Sequence, residues 1–171
     1  MAITERVLEK LGNGFSISLM TEHDLLEVVE IEEQSGLSRW GWAAYYAELQ
    51  GSNRELMLVA RTPESKAPRV SHTLAAYIVA RIGANELHIN NVAVRERYRR
   101  QGIGLILLQR ILQEGKRRGV ETAFLELRAG NAAALSLYEK CGFSLTSRRK
   151  NYYSEPTEDA LVMTVQLGAN A

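Results

Sequence analysis

The sequence predicts an α/β fold, a single domain in which a mixed, mostly antiparallel sheet is flanked by helices. Three observations predict it. Strand-like segments alternate with helical ones, and the last two strands follow each other without a helix, as antiparallel neighbours do. In the middle of the chain an apolar strand runs into a basic, glycine-bearing turn and straight on into a long amphipathic helix. Finally, 171 residues, 46% hydrophobic and 24% charged, are enough for one buried core of ordinary composition. The domain is expected to occupy residues 1–171, with an ordered core over about 15–167.

Residues 15–20 (FSISLM) alternate in polarity as a strand does. Thr21 then stands as the cap of a helix over about 22–33, where Leu25, Val28, Val29 and Glu32 recur at helical spacing. A second helical piece covers 40–49. Residues 56–61 and 74–82 read as the two strands of a hairpin, joined by a long polar loop, 62–72, that carries two prolines. Residues 86–94 form the next strand and 102–118 the main helix. That helix closes on Lys116, Arg117 and Arg118 with Gly119 just beyond, a normal C-terminal signal. A strand over 121–128 leads through Asn131 into a short helix holding Tyr138. Strands over 143–149 and 160–167 complete the chain, without a register that the sequence determines.

Composition excludes several classes of function. A net charge of +1 gives no electrostatic case for nucleic acid as a partner. No apolar run approaches the roughly 18 residues that a membrane-spanning helix needs. The start, MAITERVLEK, lacks the apolar core of a signal peptide, so a cytoplasmic protein is expected. One cysteine, Cys141, allows neither an internal disulfide nor a multi-cysteine metal site, and no metal is expected. Nothing in its sequence neighbourhood would activate that thiol, which reads as structural.

The turn Arg99-Arg100-Gln101-Gly102-Ile103-Gly104 is the first candidate for chemistry. A glycine turn opening a helix presents unpaired N–H groups and the positive end of the helix dipole, which together suit phosphate. A dinucleotide fingerprint would need a third glycine where Leu107 stands, and a P-loop would need Gly-Lys-Ser/Thr at its end. What remains is basic-x-x-Gly-x-Gly, equally at home in an ordinary helix start. Arginine suits phosphate geometry, although Arg95 and Arg97 read better as solvated charge.

The strand at 122–128 places Glu126 and Arg128 on the face opposite Leu125 and Leu127. A half-buried carboxylate there is expected to have a raised pKa and to accept a proton near neutrality. An ion pair with Arg128 or another neighbour is the alternative. Tyr138 follows Asn131 by seven residues on the same helix face. A phenol can give its proton to a leaving thiolate, or the ring can simply pack on the sheet. Asn131 is a natural N-cap. His23 and His88 stand alone and read as structural, with His88 the next candidate for a base.

Several of these pieces together resemble the acetyl-CoA-binding core of the GNAT superfamily of N-acetyltransferases. They are Asn91-Val92-Ala93-Val94, Tyr98 through Gly104, Leu125-Glu126-Leu127-Arg128 and Asn131-Ala132-Ala133-Ala134. Tyr138 through Phe143, Arg149-Lys150-Asn151-Tyr152-Tyr153 and Glu158 through Met163 narrow the resemblance to the bacterial ribosomal-protein alanine N-acetyltransferases. It covers roughly residues 86–166. It implies the GNAT-type acyl-CoA N-acyltransferase fold, with acetyl-CoA as co-substrate and the N-terminal α-amine of a ribosomal protein as acceptor. On this resemblance Val92, Ala93 and Val94 bind the acetyl and pantetheine groups through their backbone. The N–H groups of Arg99, Arg100, Gln101, Gly102, Ile103 and Gly104 cradle the pyrophosphate, and Asn131 contacts the pantetheine arm. Glu126 is the general base, and Tyr138 is the general acid that meets the CoA sulfur. Tyr152 and Tyr153 close over the peptide end. The Trp40 segment leads the substrate helix, though Arg39-Trp40-Gly41 replaces the usual Pro-Trp-Ser. A small-molecule amine or a lysine as acceptor, or a CoA-binding regulator without turnover, are the alternatives. The presence of both Glu126 and Tyr138 speaks against the last.

Overall fold

The computed structural model describes residues 6–63 and 73–168, so most of the expected 62–72 loop lies outside the described residues. Among the described residues the strands are β1 (Val7–Lys10), β2 (Ser16–Leu19), β3 (Met57–Arg61), β4 (Leu74–Gly83), β5 (Glu86–Val94), β6 (Thr122–Arg128), β7 (Ser144–Tyr153) and β8 (Glu158–Gln166). The helices are α1 (Leu25–Gln34), α2 (Gly41–Leu49), α3 (Ile103–Arg117) and α4 (Ala132–Lys140). The architecture is the expected mixed, mostly antiparallel sheet with helices. Strand β1 had no clear signal in the sequence. The described residues group into two compact units, and β4 and β5 each run through both.

The first unit comprises residues up to 79 together with 91–107. Its strands bond in the order β1-β2-β3-β4-β5, with β1–β2, β2–β3 and β3–β4 antiparallel. Met57 through Ala60 and Leu74 through Val79 are buried without alternation, the pattern of strands covered on both faces. Helix α1 turns Leu25, Val28 and Ile31 into this core, where they meet Tyr45, Met57, Val59, Leu74, Tyr77 and Val79. The chain enters α1 through a 3-10 turn, Glu22–Asp24, and the Asp24 carboxylate accepts the Thr21 N–H at 2.8 Å. Arg95 overturns its reading as solvated charge. It is buried, and its guanidinium donates to Leu74 O and Glu30 Oε1, both at 2.8 Å, and to Glu27 Oε1 at 3.3 Å. A cation this enclosed needs such partners, because desolvation without them costs several kcal/mol.

The second unit comprises residues 80–90 and those from 108 onward. Its strands bond in the order β4-β5-β6-β8-β7. Strands β5 and β6 are parallel, with His88 opposite Phe124, while β6–β8 and β7–β8 are antiparallel. Along β6 every second residue is buried, which puts Leu125 and Leu127 on one face and Glu126 and Arg128 on the other, as expected. A Cβ at Gly115 of α3 would lie 2.9 Å from Leu87 Cδ2, so this glycine is what lets α3 lie close on β5. Strand β7 ends the order, is exposed from Ser144 to Tyr152, and reaches Tyr153, four residues past its expected end.

Candidate active site

Within the first unit, the turn before α3 takes left-handed backbone at Gly102, while Gly104 already lies inside the helix. Arg100 and Gly102 both take positive φ, 63° and 78°. Ile106 N–H donates to Gly102 O at 3.0 Å. The N–H groups ahead of it therefore stand at the open, positive end of a fifteen-residue helix. A Cβ at Gly102 would meet nothing within 4 Å, so there is room beside the backbone for a phosphate. Arg99 Nε donates to Val94 O at 3.0 Å, which ties the turn to the end of β5. Val92, Ala93 and Val94 precede the turn on that strand, with Ala93 buried and its two neighbours half-buried. The residues present fit a pyrophosphate held by main chain.

The second unit holds Glu126, and its neighbours are not those expected. His88 Nε2 lies 2.7 Å from Glu126 Oε2, and Arg149 Nη1 lies 3.7 Å from Oε1. Arg128 points elsewhere. It bonds Pro156 O at 3.0 Å and Glu158 Oε1 at 3.3 Å, and covers the Tyr153 ring at 4.6 Å. The alternative of an ion pair with Arg128 is therefore not met, and a hydrogen bond with another neighbour, His88, stands in its place. The expected raised pKa is also reversed. The His88 hydrogen bond holds the Glu126 carboxyl below its ordinary value, against the opposing effect of burial. The sequence could not show this partnership, since the parallel register of β5 on β6 is a tertiary fact. The His88 ring also stacks on Phe124, centroids 4.4 Å apart.

Tyr138 is buried on α4, with its ring 6.0 Å from that of Phe143. Burial pushes its phenol well above the ordinary tyrosine value, so it is a neutral donor at any physiological pH. Asn131 is the N-cap of α4, its Oδ1 accepting from Ala134 N–H at 3.1 Å. Tyr152 and Tyr153 meet edge to face at 5.0 Å. Tyr153 is pushed up to about 12, by burial first and by the Glu126 charge second. Burial also raises the Cys141 thiol, in keeping with a structural cysteine.

Trp40 belongs to the first unit, immediately before α2, and a buried carboxyl holds it there. Glu32 Oε1 accepts from the backbone of Trp40 at 3.0 Å and of Gly41 at 3.3 Å. Glu32 Oε2 accepts from the Tyr45 hydroxyl. The same hydroxyl lies 2.9 Å from that of Tyr77 and accepts from Asn91 Nδ2 at 2.8 Å. The only sequence signal of this network was Glu32, a glutamate at an apolar position of an amphipathic helix. The network reaches Asn91, the residue before Val92 on β5. Among the described residues no three His, Cys, Asp or Glu side chains are grouped as metal ligands, and no helix is long and apolar enough to cross a membrane.

Comparison with known proteins gives the same direction. The model of the acetyltransferase (GNAT) family matches residues 25–143. The [ribosomal protein bS18]-alanine N-acetyltransferase of Salmonella typhimurium is 30% identical over 154 residues, covering 89% of this chain and 97% of that protein. The crystal structure of the ribosomal-protein-S18-alanine N-acetyltransferase from Escherichia coli has a TM-score of 0.74 at 31% identity, over 92% of this chain and 96% of that one. A Salmonella typhimurium protein solved with its cofactor acetyl-CoA shares the fold, with a TM-score of 0.72 at 19% identity over 93% and 97% of the two chains.

Proposed function

Because this chain belongs to the GNAT acetyltransferase family, we propose that it moves acetyl from acetyl-CoA to the N-terminal alanine of ribosomal protein bS18. The observation that carries this reading is the Salmonella typhimurium relative of that activity, aligned over nearly its whole length. The small-amine and lysine alternatives have no comparable support. A ribosomal substrate is in keeping with a cytoplasmic protein.

In this reading the turn from Arg99 to Gly104 holds the pyrophosphate with backbone N–H groups, and Val92 to Val94 align the acetyl and pantetheine groups. Asn131 adds a polar contact to the pantetheine arm. Glu126 accepts the proton of the incoming α-amine, directly or through water. An α-amine, with a pKa near 8, needs much less help than a lysine near 10.4. Tyr138 gives its hydroxyl proton to the departing CoA sulfur, and its burial keeps that proton in place until the thiolate forms. Trp40, Tyr152 and Tyr153 shape the entry of the peptide end.

The test is turnover with acetyl-CoA against an alanine-starting peptide of bS18 type, the same peptide blocked at its N-terminus with an internal lysine, and a free polyamine. The unblocked peptide should exceed the blocked one in kcat/KM by about 10²-fold, roughly 2.7 kcal/mol. Glu126→Gln should lower kcat by about 10²-fold, the usual scale for a positioned base. Equal rates on the blocked peptide would remove the N-terminal assignment. Full activity of Glu126→Gln would remove the base.

A further inference from the structure

A carboxylate held below its ordinary pKa is a weak base for an amine, so whatever governs its charge governs the reaction. We propose that His88 is a positioning residue for Glu126, fixing one carboxylate oxygen so that the other faces the amine, and that its protonation switches the base off. The inference rests on the reading of Glu126 as base.

The second unit supplies the geometry. His88 Nε2 meets Glu126 Oε2 at 2.7 Å, a length at which the ring nitrogen donates its hydrogen to the carboxylate. The stack on Phe124, 9° from parallel, fixes the plane of the ring. The other ring nitrogen, Nδ1, lies 3.2 Å from Asn90 Nδ2. In that arrangement His88 is neutral, with Nδ1 accepting. Asn90 Oδ1 is buried and has no hydrogen-bond partner among the described residues. If the Asn90 amide turns over, that oxygen accepts from a protonated Nδ1. Asn90 is thus placed to serve both charge states of the ring.

Other charged and titratable groups face the pair from the packed elements. Strand β7 contributes Arg149 near Oε1 and Tyr153. Arg128 on β6 and Glu158 on β8 bind each other, and Tyr138 on α4 is neutral. Among the described residues only His88 and Arg149 bring a basic side chain within 4 Å of Glu126, and half of the Arg149 side chain is in solvent. When His88 gains a proton on Nδ1, its Nε2–H becomes a charged donor and stabilises the Glu126 anion further. The carboxylate then accepts an amine proton less readily, and turnover falls as pH falls through the titration of the ring.

The experiment is kcat against pH from 5 to 9 for the full chain, with saturating acetyl-CoA and an alanine-starting peptide. His88→Gln keeps an N–H donor near Oε2 but cannot titrate. Its acidic limb should move down by at least one pH unit, with acetyl-CoA affinity by calorimetry unchanged within about twofold. His88→Phe keeps a ring to stack on Phe124 and loses the donor, so its kcat should fall about tenfold or more. In the unaltered protein, the NMR titration midpoint of the His88 ring should coincide with the acidic limb. A limb unmoved in His88→Gln, or a ring midpoint more than a pH unit from the limb, overturns the proposal. Glu126→Gln run in parallel separates the two readings. If it abolishes turnover while the limb stays in His88→Gln, the His88 role alone fails. If it retains turnover, the base reading fails first.

Discussion

Replacing Tyr45 with Phe should cost the protein about 3 kcal/mol of stability, and the reason lies in a single oxygen. A phenolic hydroxyl has one hydrogen to give and two lone pairs to offer. Tyr45 spends its hydrogen on Glu32 Oε2. Its lone pairs take the Asn91 amide at 2.8 Å and the Tyr77 hydroxyl at 2.9 Å. All of its capacity is used inside a site where Tyr45 and Tyr77 are both fully buried. Phenylalanine fills the same volume and opens no cavity larger than the lost oxygen. It strands a buried carboxyl oxygen, for which the loss of a donor costs about 1–3 kcal/mol, and removes two neutral bonds at about 1 kcal/mol each. Partial relaxation of Tyr77 toward Glu32 brings the sum back to about 3 kcal/mol. For a chain of this size that is a fall in Tm of about 6–12 °C. Urea unfolding followed by tryptophan fluorescence is the assay, since the Trp40 ring lies 5.2 Å from Tyr45. Tyr77→Phe, which removes only one of the bonds to Tyr45, should cost about 1 kcal/mol. If the two variants were equally stable, the hydroxyl of Tyr45 would not be the hub of the network.

Two further outcomes test the cofactor and the acid. Gly102→Glu places a side chain and a negative charge in open space beside the helix start, at a backbone φ of 78° that already disfavours it. Calorimetry should show acetyl-CoA binding weakened by at least tenfold, about 1.4 kcal/mol, and unchanged affinity in a folded variant would remove the phosphate turn. Tyr138→Phe keeps the buried ring beside Phe143 and removes only its proton. Its kcat should fall by about 10²-fold with KM for the peptide nearly constant, and an unchanged kcat would leave the thiolate to be protonated by solvent.

What the sequence revealed and what it hid divide along a physical line. Local signals are legible. The alternation along β6, the cap at Asn131, the glycine turn at 99–104 and the basic end of α3 each depend on residues a few positions apart. Partnerships set by strand register are not. Arg128 sits two residues from Glu126 on the same face and was the natural ion-pair candidate, but the β7–β8 turn claims it, while His88 arrives from a strand 38 residues away. The same holds for Arg95, which looked like one more surface cation until α1 folded Glu27 and Glu30 against it. The direction of the Glu126 pKa shift is hidden from the sequence for this reason, since it depends on the partner and not on the strand.

Strand β7 has a consequence for behaviour in solution. It ends the hydrogen-bonding order of its unit with its length exposed, and an open strand of this kind is a template on which another chain can add itself. Arg148, Arg149 and Lys150 lie in its middle. A second copy approaching in the antiparallel sense would bring these cations against their own counterparts, and like charges opposed across a ladder push strands apart. Arg148 already spends part of its charge on Asp159 at 2.7 Å, which leaves Arg149 and Lys150 as the chief guards against self-templating. Arg149 also brings its guanidinium within 3.7 Å of Glu126. Neutralising it to retune the base would therefore carry a second effect, a greater tendency to aggregate that should grow with salt as the remaining charge is screened.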